Sequence, residues 1–401
     1  MTSPPRRFLS YGRQQIGDDD IAAVTDVLRG DVLTTGPKVA AFELSLAKAT
    51  GAAHAVVCSS GTAALHLAAM ALNLGPGDKV VMPALTFLAT ANVVRLRGAE
   101  VVFADVNPET GLMGAQELSA ALAREDSENV KAVFPVHYAG QCAAPDQLAA
   151  AAKGLPVVVD SCHALGTAYG VGGKVGDCRH AVMETFSFHP VKTVAAGEGG
   201  AVTTNDGDLA QRLRRLRNHG ITRDAESFVR DDLARDGGGA PNPWYYEMTE
   251  LGLNCRLSDL HCALGLSQLV KLDAFCAARR ALAAHYDEKL VSLAPLVKPL
   301  GRVPDCDPAW HLYVARIDFA ALGLERAAVM TRLTEAGIGT QVHYLPLHMQ
   351  PYYRDRYGEI SLPGAETFYR QALSLPLFQD MTEEEVEYVV ETLGRIVAGA
   401  R

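Results

Sequence analysis

The sequence predicts an α/β fold with a mostly parallel sheet, followed by a smaller α+β domain. Short apolar runs recur through the first half, and each is closed by small or polar residues before a helical pattern begins. That alternation is what a parallel sheet covered by crossover helices produces. The length of 401 residues also exceeds what one hydrophobic core usually serves, so two domains are expected. We place them at residues 1–270 and 271–401, with room for residues 1–20 to pack on the smaller one.

Four segments carry the strand-then-helix pattern in order: "AHAVVCSSGTAALHLAAMAL", "DKVVMPALTFLATANVVRL", "VKAVFPVHYAG" and "LPVVVDSCHALG". Two further strands, "AVMETFSF" and "GGAVTTND", flank a loop that holds Lys192. The helix "DLAQRLRRLRNHG" follows, and its arginines, Arg212 and Arg215 among them, predict a solvated face. Residues 221–249 form a long connection rich in Gly, Asp and Pro, a type that is usually functional or intersubunit. Helical pattern runs from "LSDLHCALGLSQL" through "ARRALAAHYDEKL". The segments "AWHLYVARIDF", "ERAAVMTRLTEAGI" and "GTQVHYLPLH" read as strand, helix and strand before a closing helix at "TEEEVEYVVETLGRI".

Composition narrows the function. A net charge of −9 argues against nucleic-acid binding, and the N-terminal stretch has two arginines but no apolar run after them. With no uncharged apolar run of spanning length, the expectation is a cytoplasmic protein without a membrane anchor. Eight cysteines contain no C-x-x-C pair and the twelve histidines no H-E-x-x-H spacing, so neither a disulfide framework nor a metal is expected.

Ligands of open parallel sheets bind beyond the carboxyl ends of the strands. After "AVVC" come Ser59, Ser60, Gly61 and Thr62 at a helix start, where free N–H groups and the helix dipole suit a phosphate, although an ordinary N-cap would look the same. Asp160 ends the buried run "LPVVV" and requires a partner, which could be a structural cation or the protonated nitrogen of a bound ring. His163, three residues on, could hydrogen-bond the same ligand. Phe87 could stack on a ring or sit in the core. Ser187 offers a second phosphate contact, and Lys192 an amine. One cofactor uses all of these together: pyridoxal 5'-phosphate needs an anion cradle, an aspartate, a flat side chain and a lysine.

The motifs "SSGTAALHLA", "DSCHALGTAYG", "FSFHPVKTVAAGEGGAVTTND", "LNCRLSDLHCALGLSQL" and "GTQVHYLPLH" make the chain resemble the nucleotide-sugar aminotransferases of the DegT/StrS type over nearly its whole length. The resemblance implies a fold-type-I transferase with a seven-stranded, mostly parallel sheet. It also implies that Lys192 forms the internal aldimine, that Asp160 pairs with the pyridine nitrogen and that His163 lies by the ring. Gly61, Thr62 and Ser187 would hold the phosphate, and Phe87 would cover the ring. Asn254 matches an asparagine that serves the partner subunit, so a homodimer with shared sites is implied. The chain departs from the family's frequent Tyr-Asn-Tyr-Arg with Leu253-Asn254-Cys255-Arg256. Related sugar dehydratases carry histidine where this chain has Lys192.

Within the family, "YGRQQIGDDDI", "LTTGPKVAAFE" and "WYYEMTELGLN" are most similar to the 4-aminotransferases of the pseudaminic acid pathway. That similarity implies L-glutamate as donor, with 2-oxoglutarate as product. UDP-4-keto-6-deoxy-N-acetyl-β-L-altrosamine would be the acceptor. Substrate contacts would fall on Tyr11, Leu33, Thr34, Gln341, His343 and Tyr344. Another nucleotide, a C3 ketone, a pyridoxal-phosphate-dependent sugar dehydratase or a non-catalytic cofactor binder are the alternatives.

Overall fold

The computed structural model describes residues 7–124, 129–170 and 172–399. Seven strands make the main sheet: β1 (His54–Cys58), β2 (Lys79–Pro83), β3 (Glu100–Ala104), β4 (Val130–Val133), β5 (Val158–Asp160), β6 (Met183–Ser187) and β7 (Gly200–Thr204). They run β1-β7-β6-β5 in one hydrogen-bonded set and β3-β2-β4 in another. Parallel bridges Val133 to Val157 and Val136 to Asp160 join the two sets between β4 and β5. Neighbours are parallel except at β7, which runs antiparallel to both β1 and β6. The β-branched, near-continuous apolar strands are those of a sheet buried on both faces.

Strand β3, "EVVFA", was absent from the sequence-based expectation. It lies at the sheet edge beside β2, in register from Lys79 with Glu100 to Pro83 with Ala104.

The connection at 221–249 is not structureless. Its ends pair as a two-residue ladder, Ile221–Thr222 with Glu247–Met248, and it contains a 3-10 turn at Ala225–Ser227 and a helical turn at Asp231–Ala234. The arginine helix before it is also more than a solvated face. Arg212 and Arg215 reach Glu250 at 2.9 and 3.4 Å, and Arg214 reaches Glu43 at 3.4 Å. These arginines tie the helix to Glu250 and to the helix Pro37–Thr50 while their side chains keep 25–39% of their surface in water.

The C-terminal part has three antiparallel strands in the order β8 (Val297–Pro299), β9 (Tyr313–Ile317) and β10 (Ala372–Leu375), with the helix Glu383–Ala398 opening on a Thr382 cap. The segment "GTQVHYLPLH", expected as a strand, meets the three-stranded sheet at a single isolated bridge, Gln341 with Ser374. Beyond Gln341 the backbone leaves the sheet, and the Tyr138 hydroxyl, not a strand partner, donates to the His343 carbonyl.

The N-terminal residues described, 7–11, lie against this part. Leu9 N–H donates to the Gly337 carbonyl at 2.9 Å, Gly339 N–H to Leu9 at 2.7 Å, and Arg7 pairs with Asp380 and Glu385 at 3.0 and 3.1 Å. Helix Asp18–Arg29 then packs on helix Asp259–Val270, where the buried Asp20 carboxylate accepts from Lys271 and Gln268, each at 2.7 Å.

Candidate active site

A cavity of about 710 Å³ opens at the carboxyl ends of β1, β2, β5 and β6, the place where open parallel sheets bind ligands. The groups on the sheet side arrive there because a strand ends beneath them.

The helix Gly61–Ala71 begins just after β1. The Ser60 hydroxyl caps it by accepting from Ala63 N–H at 3.1 Å, so Ser60 plays the ordinary capping part. Gly61 and Thr62, at the helix N-terminus, line the cavity together with Ser187. Space there is tight enough to specify glycine twice. A Cβ on Gly61 would stand 2.8 Å from the Ser187 Cβ, and one on Gly200 would stand 2.2 Å from the Ser60 carbonyl oxygen. Replacing Gly200 with Ala should therefore push the helix start off β7, costing about 1–3 kcal/mol as overpacking does. A lowered thermal midpoint, together with weaker pyridoxal-phosphate retention in equilibrium dialysis, is the expected result.

Asp160 ends β5 only 5% exposed. Its Oδ2 accepts from the Thr90 hydroxyl at 2.7 Å and its Oδ1 from Cys162 N–H at 3.2 Å. Both donors are neutral, so the charge remains available to a cationic ligand in the cavity it lines. Thr90, in the first turn of the helix Leu88–Leu96 and 2.8 Å from the Thr86 hydroxyl, was not foreseen.

His163 is buried. Its Nδ1 accepts from Ala139 N–H at 3.3 Å, so the ring hydrogen sits on Nε2, which faces the Tyr344 hydroxyl at 3.1 Å. Burial and the nearby Lys192 push its pKa well below 6.5, keeping the ring neutral. Lys192 follows β6 in the turn closed by its own N–H to the His189 carbonyl at 2.8 Å. Burial lowers its pKa from 10.5, against the opposing pull of Cys162 and Asp160. Its Nζ lies 3.4 Å from Nε2 of His311, a second residue that sequence reasoning missed.

Phe87 lies at the mouth, 53% exposed, with its ring centroid 5.8 Å from that of Tyr344. Tyr11, Gln341, His343 and Tyr344 form the wall contributed by the N-terminal and C-terminal segments. Leu33, Thr34 and Asn254 do not line this cavity: Thr34 bridges Ser258, Leu33 accepts from Asp259 N–H at 3.0 Å, and exposed Asn254 bridges Asn218.

A buried amine and a buried carboxylate in one cavity, with a helix N-terminus at its end, fit pyridoxal phosphate's aldehyde, ring nitrogen and phosphate. Fold and site together define a pyridoxal-phosphate-dependent transferase of fold type I. Residues 14–394 match the DegT/DnrJ/EryC1/StrS aminotransferase family, and the chain belongs to it. It is therefore an aminotransferase that depends on pyridoxal phosphate. Among solved structures it is similar to PseC of Helicobacter pylori, an aminotransferase of pseudaminic acid biosynthesis, at 28% identity and a TM-score of 0.87, covering 98% of this chain and 100% of that one. It is similar to Spr1654 of Streptococcus pneumoniae in its pyridoxal-phosphate form, at 28% identity and a TM-score of 0.85, over the whole of both chains. DesI, crystallised with its TDP-sugar product, matches at 30% identity and a TM-score of 0.84, covering 99% of this chain and 94% of that one. Among the described residues, no helix is long and apolar enough to cross a membrane.

Proposed function

We propose that this sugar aminotransferase moves the amino group of L-glutamate to the C4 ketone of a UDP-linked 4-keto-6-deoxy-N-acetylhexosamine. UDP-4-keto-6-deoxy-N-acetyl-β-L-altrosamine, on the way to pseudaminic acid, is the acceptor of choice, and the enzyme works as a cytoplasmic homodimer. The observation that carries this reading is the end-to-end likeness to the Helicobacter pylori enzyme.

Bound pyridoxal phosphate supplies an aldehyde that takes up the amino group and a protonated ring that draws electrons from the donor's α-carbon. Lys192 holds the cofactor between turnovers and, once displaced, is the base that moves the α-proton. Asp160 keeps the ring nitrogen protonated, and Thr90 with the Cys162 N–H fixes its carboxylate. The neutral His163 ring, set by Ala139, would lie by the cofactor ring, and Phe87 would cover that ring. Gly61, Thr62 and Ser187 hold the phosphate. Tyr11, Gln341, His343 and Tyr344 face the sugar, whereas the Leu33 and Thr34 loop, which the resemblance also assigns to the substrate, lies outside this cavity. Donor and ketosugar use one cavity in turn, which gives ping-pong kinetics. Residues 1–270 carry the cofactor in this scheme, and residues 271–401 close the substrate side.

Asn254 is assigned to the phosphate of the partner subunit's cofactor. It lies outside its own cavity, after a connection that leaves Trp244 and Leu251 71% and 75% exposed, an apolar surface suited to a second copy. Mixing Lys192→Ala and Asn254→Ala chains should then restore about a quarter of wild-type sites, because one site of each mixed dimer keeps both residues. No recovery, with subunit exchange verified by native mass spectrometry, would count against sharing.

The substrate is tested by incubating the enzyme and glutamate with UDP-, GDP- and dTDP-linked 3-keto and 4-keto sugars, and locating the new amine by NMR. Amination at C4 of the UDP sugar is expected. The likeness to DesI, solved with a TDP-sugar, favours a dTDP-linked acceptor as the second reading. A dTDP-only or C3 product would overturn the assigned acceptor and leave the aminotransferase class standing.

A further inference from the structure

His311 is the buried cavity residue to which nothing above gives a part. It is 3% exposed and stands just before β9, with its Nε2 3.4 Å from Lys192 Nζ and its ring centroid 4.3 Å from that of His163. A lysine amine on four rotatable bonds samples many positions unless an acceptor holds it. The neutral ring can be that acceptor, since burial and the Lys192 charge push the His311 pKa well below 6.5. With Lys192 donating, the ring hydrogen belongs on Nδ1, which is buried without a partner. An unpaired buried donor is costly, so the ring is placed for its other nitrogen.

The backbone around His311 is held on two sides. Its N–H donates to the Ala139 carbonyl at 3.0 Å, and Ala139 is the residue whose N–H fixes His163. The carbonyls of Trp310 and His311 accept from Arg279 at 3.2 and 3.3 Å. Arg279 is 0% exposed, and its remaining bonds go to the Leu377 carbonyl at 3.0 Å and the Gln379 side-chain oxygen at 2.9 Å. A buried guanidinium among neutral oxygens bears a desolvation cost that packing alone does not require.

We infer that His311 is a positioning residue for Lys192: its Nε2 accepts the amine N–H and holds Nζ where the cofactor's aldehyde carbon arrives, while Arg279 fixes the backbone that carries the ring. The inference rests on Lys192 being the cofactor-bonding lysine, as proposed above.

The test follows cofactor capture by the cofactor-free protein in stopped flow, reading the visible absorbance of the lysine-bound cofactor. Pyridoxamine phosphate, which has no aldehyde, measures the cradle separately. His311→Leu should capture pyridoxal phosphate about tenfold or more slowly, as displaced reacting groups do, with pyridoxamine phosphate affinity unchanged. His311→Gln puts its amide oxygen near the Nε2 place and should recover most of the rate. Capture by His311→Leu at the wild-type rate would overturn the inference. Should His311→Leu lose pyridoxamine phosphate affinity, the comparison passes to His311→Gln and His311→Asn. Asn reaches only the Nδ1 place, so fast Gln and slow Asn support positioning, and equal rates overturn it. Lys192→Ala separates the two readings, because absorbance surviving in that variant would overturn the lysine assignment itself.

Discussion

Lys192→Ala is expected to abolish transamination together with the visible absorbance of the lysine-bound cofactor. Among the described residues Lys192 is the one lysine in the cavity lining, so none of them offers a second amine to hold the aldehyde. The variant also loses the base for the α-proton, and general-base loss by itself costs about 10²–10⁴-fold. Exogenous amine can replace the nucleophile but not its position. Borohydride reduction of the wild-type holoenzyme followed by peptide mapping checks the assignment, and a label on any other lysine would refute it.

Asp160→Asn is expected to retain part of the cofactor and lose turnover by orders of magnitude. The amide keeps the shape and accepts from Thr90, but it carries no charge to hold the ring nitrogen protonated. A close ion pair at an effective dielectric constant of about 20 is worth roughly 4 kcal/mol. Lost from the transition state, that is about three orders of magnitude in rate. Thr90→Val is the companion variant. It removes one hydrogen bond to Asp160 while leaving the charge, so its loss should stay near tenfold. Steady-state kinetics on the two variants checks the ordering, and near-normal turnover in Asp160→Asn would return Asp160 to a structural role.

Residues that end strands were legible in the sequence because a strand followed by a turn announces itself locally. Gly61, Asp160, Ser187 and Lys192 each close or follow such a run, and the fold brings them to one cavity. Thr90 and His311 were not legible for the opposite reason. Thr90 meets Asp160 across 70 positions and Lys192 meets His311 across 119, so neither pairing leaves a local pattern. Strand β3 was missed although "EVVFA" is itself a local apolar run, and "GTQVHYLPLH" was misread. That segment has strand composition, but a tertiary contact from Tyr138 captures its backbone after one strand pair. The arginine helix adds a related case, because its charged pattern marks a side that meets water but cannot reveal that Glu43 and Glu250 will come to pair with it.

The attachment of Leu9 to Gly337 and Gly339, and of Arg7 to Glu385, has a consequence for how the enzyme is made. A ribosome releases the first residues long before their partners exist, and domains that fold as units during synthesis do so from the N-terminal end. The central sheet can form while the rest is still being translated, but the strand of chain leading to Tyr11 must wait until residues beyond 377 emerge. The wall that Tyr11 supplies is thus completed last, so in a nascent chain Lys192 and Asp160 can come together before that wall closes the cavity.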